Sequence, residues 1–255
     1  MPFQILLGGA KNTMMTDTHT ASDRVGYSGT ALKLTACITM LVDHIGASCI
    51  ESTYTTLNRA PLMLATLDRT MRLIGRLAFP IYCFLLVEGF LHTHDVRRYF
   101  QRLLLFGLLS EIPFDLAFYR TPFYWDHQNV YWTLALGVLA MAALQKFQKE
   151  EGKVSWQGWL AALGCVIIAE LAATDYGAIG VALILALYLT RKSRKQQCIV
   201  GAVMMLYELT APLAFLLVWY YNGERGYCPK WMQRAFYLFY PVHLALLAAI
   251  TNLLL

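Results

Sequence analysis

Long apolar runs most constrain this chain, because roughly 20 apolar residues are enough for a helix to cross the hydrocarbon core of a bilayer. Of its 255 residues, 58% are hydrophobic and 15% are charged, whereas about a quarter of the residues in a soluble domain are usually charged. The sequence therefore predicts an all-α, polytopic transmembrane bundle surrounded by lipid. The predicted spans are Leu32–Ile50, Leu73–Leu91, Tyr99–Phe118, Val130–Leu144, Trp156–Ala173, Gly177–Thr190 and Phe236–Leu254.

A further apolar stretch, Ile199–Tyr221, permits two interpretations. It is long enough for one span, but Ala211-Pro212 in its middle favours a break into two short helices. The prediction is therefore eight or nine spans within residues 31–255. Residues 1–30 are predicted to be a polar, disordered tail, since they lack the charged, apolar and small-residue pattern of a signal peptide.

Basic residues between the spans predict the orientation. Loops two, four and six contain nine of them and loops one, three and five contain three, which places the even loops and the N-terminus in the cytoplasm. The nine are Arg97, Arg98, Lys146, Lys149, Lys153, Arg191, Lys192, Arg194 and Lys195. This topology accounts for the net charge of +5, so no nucleic-acid partner is predicted, and the expected location is the cytoplasmic membrane.

Ionisable and polar residues inside the spans suggest a site, because they are costly in lipid unless they are paired, hydrated or functional. Asp43 and His44 lie late in the first span, and with the predicted orientation a group of polar residues falls at the same outer level. These are His44, Arg76, Glu111, Asp115, Asn129 and Asp175. The alternative is a girdle of helix caps and interhelical pairs. Six cysteines without a CxxC pair predict neither disulfides nor a metal site.

Individual residues keep two interpretations each. His44 suits a general base, because histidine titrates near neutrality, but an interhelical hydrogen bond would also explain it. Arg76 is predicted to pair with Glu111 or Asp115. Glu88, Tyr240 and His243 fit either the site or helix packing.

Several short motifs, in order along the chain, resemble the TraX family. They are Leu34–Gly46, with Asp43-His44, Gly75–Phe90, with Gly-Arg-Leu-Ala-Phe-Pro, Ser110–Asp115, Gln128–Val130, Asp175–Gly177 and Tyr240–Leu244. The resemblance runs from about Leu32 to the C-terminus and leaves out only the N-terminal tail.

The resemblance implies acyl transfer. The founding family member acetylates the N-terminus of pilin, and the family is similar to transmembrane acyltransferases in which a first-helix histidine is taken as catalytic. It therefore implies His44 as the catalytic residue, with Asp43 beside it, and acetyl-CoA as co-substrate without a metal. Residues expected to shape the site are Arg76, Glu88, Glu111, Asp115, Asn129, Asp175, Tyr240 and His243.

The cytoplasmic cations Arg97, Arg98, Lys149, Arg191 and Lys192 are candidates to attract the phosphates of acetyl-CoA. The acceptor stays open between a peptide amine, a sugar hydroxyl and a lipid head group. Two rival functions remain: a small transporter that uses the same side chains as a proton relay, and a scaffold in which they only join helices. The chain lacks the internal repeat common in transporters.

Overall fold

The computed structural model describes residues 26–56, 61–149 and 153–254, and the regular elements in these ranges are all helices, which confirms the predicted all-α class. They are α1 (Gly29–Ile45), a π-helical turn (Gly46–Ile50), α2 (Glu51–Thr56), α3 (Leu62–Gly75), α4 (Ala78–His92), α5 (Val96–Phe118), α6 (Val130–Lys146), α7 (Trp156–Leu171), α8 (Gly177–Leu189), α9 (Arg194–Met204), a 3₁₀ turn (Ala211–Leu213), α10 (Ala214–Trp219) and α11 (Lys230–Leu254). Most of the predicted tail, residues 1–25, lies outside the described residues. Ser28 caps α1, so this helix begins within the predicted tail.

Three helical stretches are long and apolar enough to cross a membrane: Gly29–Thr53, Leu62–His92 and Lys230–Leu253. Three shorter apolar helices accompany them: Val130–Lys146, Trp156–Leu171 and Gly177–Leu189. The chain is thus built as a membrane protein, and the total of eight or nine spans stays a prediction.

The second predicted span differs most from the observed helices. The sequence predicts a start at Leu73, whereas the helical stretch begins at Leu62 and is interrupted by a turn between α3 and α4. The charged residues Asp68, Arg69 and Arg72 end the apolar run in the sequence, but they do not end the helix. Arg72 is accommodated by an ion pair with Asp43 of α1.

The ambiguous stretch Ile199–Tyr221 is two short helices rather than one. α9 ends at Met204, and a turn leads through the 3₁₀ turn containing Pro212 into α10. Arg194 at the start of α9 stacks on Tyr221 just after α10, so the helical hairpin begins and ends at the same level of the bundle. Its tip reaches the junction of α3 and α4, where Thr210 Oγ1 donates to the carbonyl of Leu73.

The helices pack so that the bundle has two ends. One end, which we call the basic end, carries Arg97, Arg98, Arg191 and Lys192. Five helices begin there (α1, α5, α7, α9 and α11), and four end there (α4, α6, α8 and α10). Backbone bonds there join Gly29 and Thr30 to Glu224 and Arg225. At the opposite end, which we call the cavity end, Gln128 and Asp175 join the loops before α6 and α8. The segment α3–α4 returns along α1, and the apolar α4 packs between α1 and α8 at the centre of the core.

Candidate functional site

A cavity of about 630 Å³ lies at the cavity end of the bundle. Residues of α1, α3, α4, α5, α11 and the loops before α6 and α8 line it. Its exposed lining residues are Glu51, Tyr119 and Arg120, which mark the opening. The ionisable or hydroxyl-bearing side chains deeper inside belong to Asp43, His44, Arg72, Arg76, Tyr82, His127, Asp175, Tyr176 and Tyr240.

Two histidines from the first and last helices meet at the cavity. His44 Nδ1 lies 2.7 Å from His243 Nε2. The ring planes are only 14° apart and their centroids are separated by 5.0 Å, so the two rings lie end to end in nearly one plane rather than face to face. Phe118 and Tyr240 contact the His44 ring edge-on, at 5.2 and 5.9 Å between centroids, and restrict its rotation.

The hydrogen bonds determine which nitrogen carries a proton in the neutral pair. His243 Nδ1 lies 2.6 Å from the carbonyl oxygen of Phe239, which can only accept, so this nitrogen is the donor. His243 Nε2 must then accept from His44 Nδ1. The remaining nitrogen, His44 Nε2, keeps its lone pair. The arrangement therefore gives His44, a cavity-lining residue, one basic nitrogen, as a general base requires.

Asp43 does not pair with His44 but with the next helix. Arg72 Nη1 donates to Asp43 Oδ2 at 2.7 Å, and both side chains line the cavity. Gly75 allows α3 to lie this close to α1, because a Cβ atom at Gly75 would lie 2.1 Å from the Cβ atom of Asp43. A π-helical turn follows directly after α1, a feature that often occurs at functional sites.

Arg76 pairs with a residue that the sequence did not indicate. Its Nε lies 3.0 Å from Glu208 Oε2 at the tip of the α9–α10 hairpin, and Tyr176 also hydrogen bonds to it. The predicted pairing of Arg76 with Glu111 or Asp115 is wrong. The reason is that the hairpin tip, which no local sequence pattern places, reaches the junction of α3 and α4.

Asp175 enters the cavity together with an unpredicted histidine. His127 Nε2 lies 3.6 Å from Asp175 Oδ1, within the range of an ion pair. This contact is the main cause of a raised pKa for His127, whose burial acts in the opposite direction. Beside it, the Tyr176 ring stacks on Phe79 with 3.6 Å between centroids.

Like His243, three more of the predicted site residues lie next to the cavity but outside its lining. Glu111 Oε2 accepts from Asn129 Nδ2 and Trp132 Nε1, and Asn129 Oδ1 caps α6. Asp115 Oδ2 accepts from the backbone N–H of Tyr124 at 2.9 Å. These residues hold α5, α6 and the connecting loop together, which matches the girdle of caps and interhelical pairs.

The predicted residues at the basic end are far from the cavity. Glu88 lies 3.7 Å from Arg194 near the end of α4, so the structure does not bring it to the site. The cations proposed for the phosphates of acetyl-CoA lie at this end as well: Arg97, Arg98, Lys149, Arg191 and Lys192. His44 is about 22 Å along α1 from its first residue, which separates the cations from the histidine pair.

Sequence reasoning missed several residues that line the cavity, chiefly Arg72, Arg120, His127 and Tyr176. One signal was available, since Arg72 and Arg76 are four residues apart and thus on one side of a helix. Residues 26–56, 61–149 and 153–254 contain no group of three or more His, Cys, Asp or Glu side chains arranged to hold a metal ion.

Comparison with known proteins identifies relatives across most of the chain. The family described as "TraX protein" matches residues 28–251. The chain is 31% identical over 262 residues to "Probable fimbrial assembly protein FimC, serogroup H1" of Dichelobacter nodosus, and the match covers 89% of this chain and 97% of that protein. No solved structure matches.

Proposed function

Because the chain belongs to the TraX family, we propose that it is a membrane acetyltransferase that moves an acetyl group from acetyl-CoA to an amine or hydroxyl acceptor at the cavity end. The observation that carries the proposal is the hydrogen bond between His44 and His243, which leaves His44 Nε2 as a base beside a cavity. The relative named for fimbrial assembly supports an acceptor among the components of a surface fibre.

In this proposal the bundle has nine passes and its basic end faces the cytoplasm. The hairpin of α9 and α10 supplies two short passes, because it begins and ends at the basic end and its tip, at Glu208, reaches Arg76 at the cavity end. The exposed cations at that end fit the excess of Lys and Arg in cytoplasmic loops. The cavity then faces the outer side of the cytoplasmic membrane.

The reaction needs one base and one group that stabilises negative charge. His44 Nε2 takes the proton of the acceptor as the acceptor attacks the thioester carbonyl carbon. Arg76 stabilises the negative charge that develops on the carbonyl oxygen. When the carbon–sulfur bond breaks, the thiolate leaves and takes the proton from His44, so the acetylated acceptor and coenzyme A are formed in equal amounts.

A column of side chains along α1 connects the basic end with the cavity. Lys33, Cys37, Met40 and His44 are spaced by four, three and four residues, which places them on one side of the helix. Cys37 Sγ lies 3.0 Å from the hydroxyl of Tyr82, and Tyr82 and Met40 line the cavity. We propose that the pantetheine arm of acetyl-CoA follows this column while its phosphates stay among the basic loops.

Purified protein in liposomes, given radiolabelled acetyl-CoA and a membrane extract, tests the proposal. His44→Ala should lower acetyl transfer by about a hundredfold to ten-thousandfold, the usual contribution of a general base. His94→Ala, at an exposed histidine of the basic end, is the matched control and should retain full activity. Transfer that survives in folded His44→Ala protein removes this residue from the role, and solute flux without transfer supports the transporter.

Two variants that replace the acceptor nitrogen of His243 test the role of this residue. His243→Gln replaces the acceptor nitrogen with an amide oxygen that can accept from His44 Nδ1, whereas His243→Ala leaves that proton without a partner. We expect the glutamine variant to retain more transfer than the alanine variant. Equal loss in both variants, with unchanged folding, would contradict the proton assignment.

A further inference from the structure

Arg120 is the arginine of the cavity lining that forms no ion pair with a described residue. Arg72 pairs with Asp43, Arg76 with Glu208 and His127 with Asp175. Arg120 makes no hydrogen bond or ion pair with any residue in the described ranges, although it lines the same cavity and is exposed. A guanidinium with five free donors is suited to a planar or tetrahedral oxyanion.

The backbone at Arg120 adopts a conformation that favours another residue. It has a φ of 57°, in the left-handed region, directly after the C-terminal capping residue Tyr119 of α5. Glycine is the usual residue at this position, because a side chain there is strained. A strained arginine at a cavity opening points to a role for its side chain rather than its backbone.

Arg120 and His44 line the same cavity. Phe118, two residues earlier, contacts the His44 ring at 5.2 Å between centroids. A group held by Arg120 therefore lies in the cavity that His44 also lines. The cations of the basic end lie at the opposite end of the bundle, so Arg120 is not placed for the phosphates of a donor that enters there.

We propose that Arg120 binds an oxyanion, a phosphate or a carboxylate, that the acceptor carries close to its nucleophilic amine or hydroxyl. The identity of the bound molecule as an acetyl acceptor rests on the proposed function, whereas the anion site at Arg120 does not. The inference adds that the acceptor is anionic, a property that membership of the family does not specify.

The structure supplies a matched pair of variants. Ala173, directly after the C-terminal capping residue of α7, has a φ of 48° and does not line the cavity. Arg120→Gly and Ala173→Gly both relieve a left-handed backbone, so neither should lower the unfolding temperature. Only Arg120→Gly removes a guanidinium.

The test measures unfolding temperature in phosphatidylcholine nanodiscs with increasing inorganic phosphate. A ligand that binds the folded state raises this temperature, so phosphate should stabilise wild type and Ala173→Gly but not Arg120→Gly. In acetyl transfer to membrane extract, Arg120→Gly should raise the half-saturating amount of extract by about tenfold to a hundredfold. The half-saturating concentration of acetyl-CoA should not change.

Three results would overturn the proposal. Equal stabilisation of Arg120→Gly by phosphate places the anion elsewhere. An Arg120-dependent stabilisation by coenzyme A at far lower concentration than phosphate assigns the anion to the donor. An Arg120-dependent stabilisation on replacing phosphatidylcholine with phosphatidylglycerol assigns it to a lipid head group. If phosphate binding needs Arg120 but the protein transfers no acetyl group, the anion site is retained and only the proposed acetyltransferase function is rejected.

Discussion

Asp43 and Glu88 are both carboxylates of apolar helices that pair with an arginine, yet only one is at a cavity. The side chains of Asp43 and Arg72 are 14% and 30% exposed, and those of Glu88 and Arg194 are 17% and 31% exposed. Burial therefore does not distinguish the two pairs. What distinguishes them is the packing around each arginine.

The basic-end pair is enclosed by side chains that fill the space. Arg194 lies over the rings of Phe84 and Tyr221, at 4.5 and 5.0 Å from their centroids, and donates to Gln197. Arg72 instead lies beside an open volume, where the bend after Gly75 and the π-helical turn alter the packing of α3 against α1. An ion pair in a transmembrane helix thus indicates a site only where neighbouring helices leave room for a ligand.

The largest difference is expected from neutralising each carboxylate. Asp43→Asn leaves the Arg72 charge without its partner next to His44, so acetyl transfer should fall by about tenfold to a hundredfold, as when a catalytic group is displaced. Glu88→Gln should change transfer by less than about twofold, since Glu88 lies at the opposite end of the bundle from the cavity. Initial rates in liposomes measure both. Equal losses would remove the distinction between the two pairs.

A smaller effect is expected from filling the space at Gly75. Gly75→Ala would place a Cβ atom 2.1 Å from that of Asp43, so the helices must shift, at a cost of about 1–3 kcal/mol in the free energy of unfolding. Gly164→Ala in α7 is the control, because no atom lies within 4 Å of the added Cβ. It should stabilise the protein by about 0.5–1 kcal/mol, through the higher helix propensity of alanine. Unfolding in detergent compares the two variants, and a neutral Gly75→Ala would contradict the close approach.

The smallest effect concerns pH and the pair of His127 and Asp175 inside the cavity. Because the pKa of His127 is raised by Asp175, the pair stabilises the fold fully below about pH 6.5, the unfolded value, and this stabilisation is lost as the pH rises through the folded pKa. The pair is partly exposed, so the loss should be within about 1 kcal/mol. His127→Gln should lack this pH-dependent part of the unfolding free energy, whereas His94→Gln at the basic end should keep it. An identical pH profile for His127→Gln and wild type would rule out the pair as its source.

Much of the fold could be predicted from the sequence because lipid imposes simple rules. The apolar runs that became α5, α6, α7 and α8 end within a few residues of their predicted limits, since length and hydropathy determine such helices. The second span was placed too late for the same reason. Hydropathy counts Arg72 against a helix in lipid, and the ion pair that accommodates it involves a residue far away in the sequence.

The candidate site was predictable only in part. His44, Arg76 and Asp175 were expected at one level and all line the cavity, because depth in the membrane follows from position in a helix. Their partners depend on how the helices pack, which depth does not determine. His243, Glu208 and His127 therefore could be assigned to partners only from the structure.

The contact between His44 and His243 joins residues 199 positions apart, in the first and last helices of the described chain. During synthesis, therefore, the first helix enters the membrane long before its imidazole has a partner. The basic nitrogen at the cavity becomes defined only when the final helix has been made and has docked. A chain interrupted before α11 therefore lacks the completed site, even where its other helices have packed correctly.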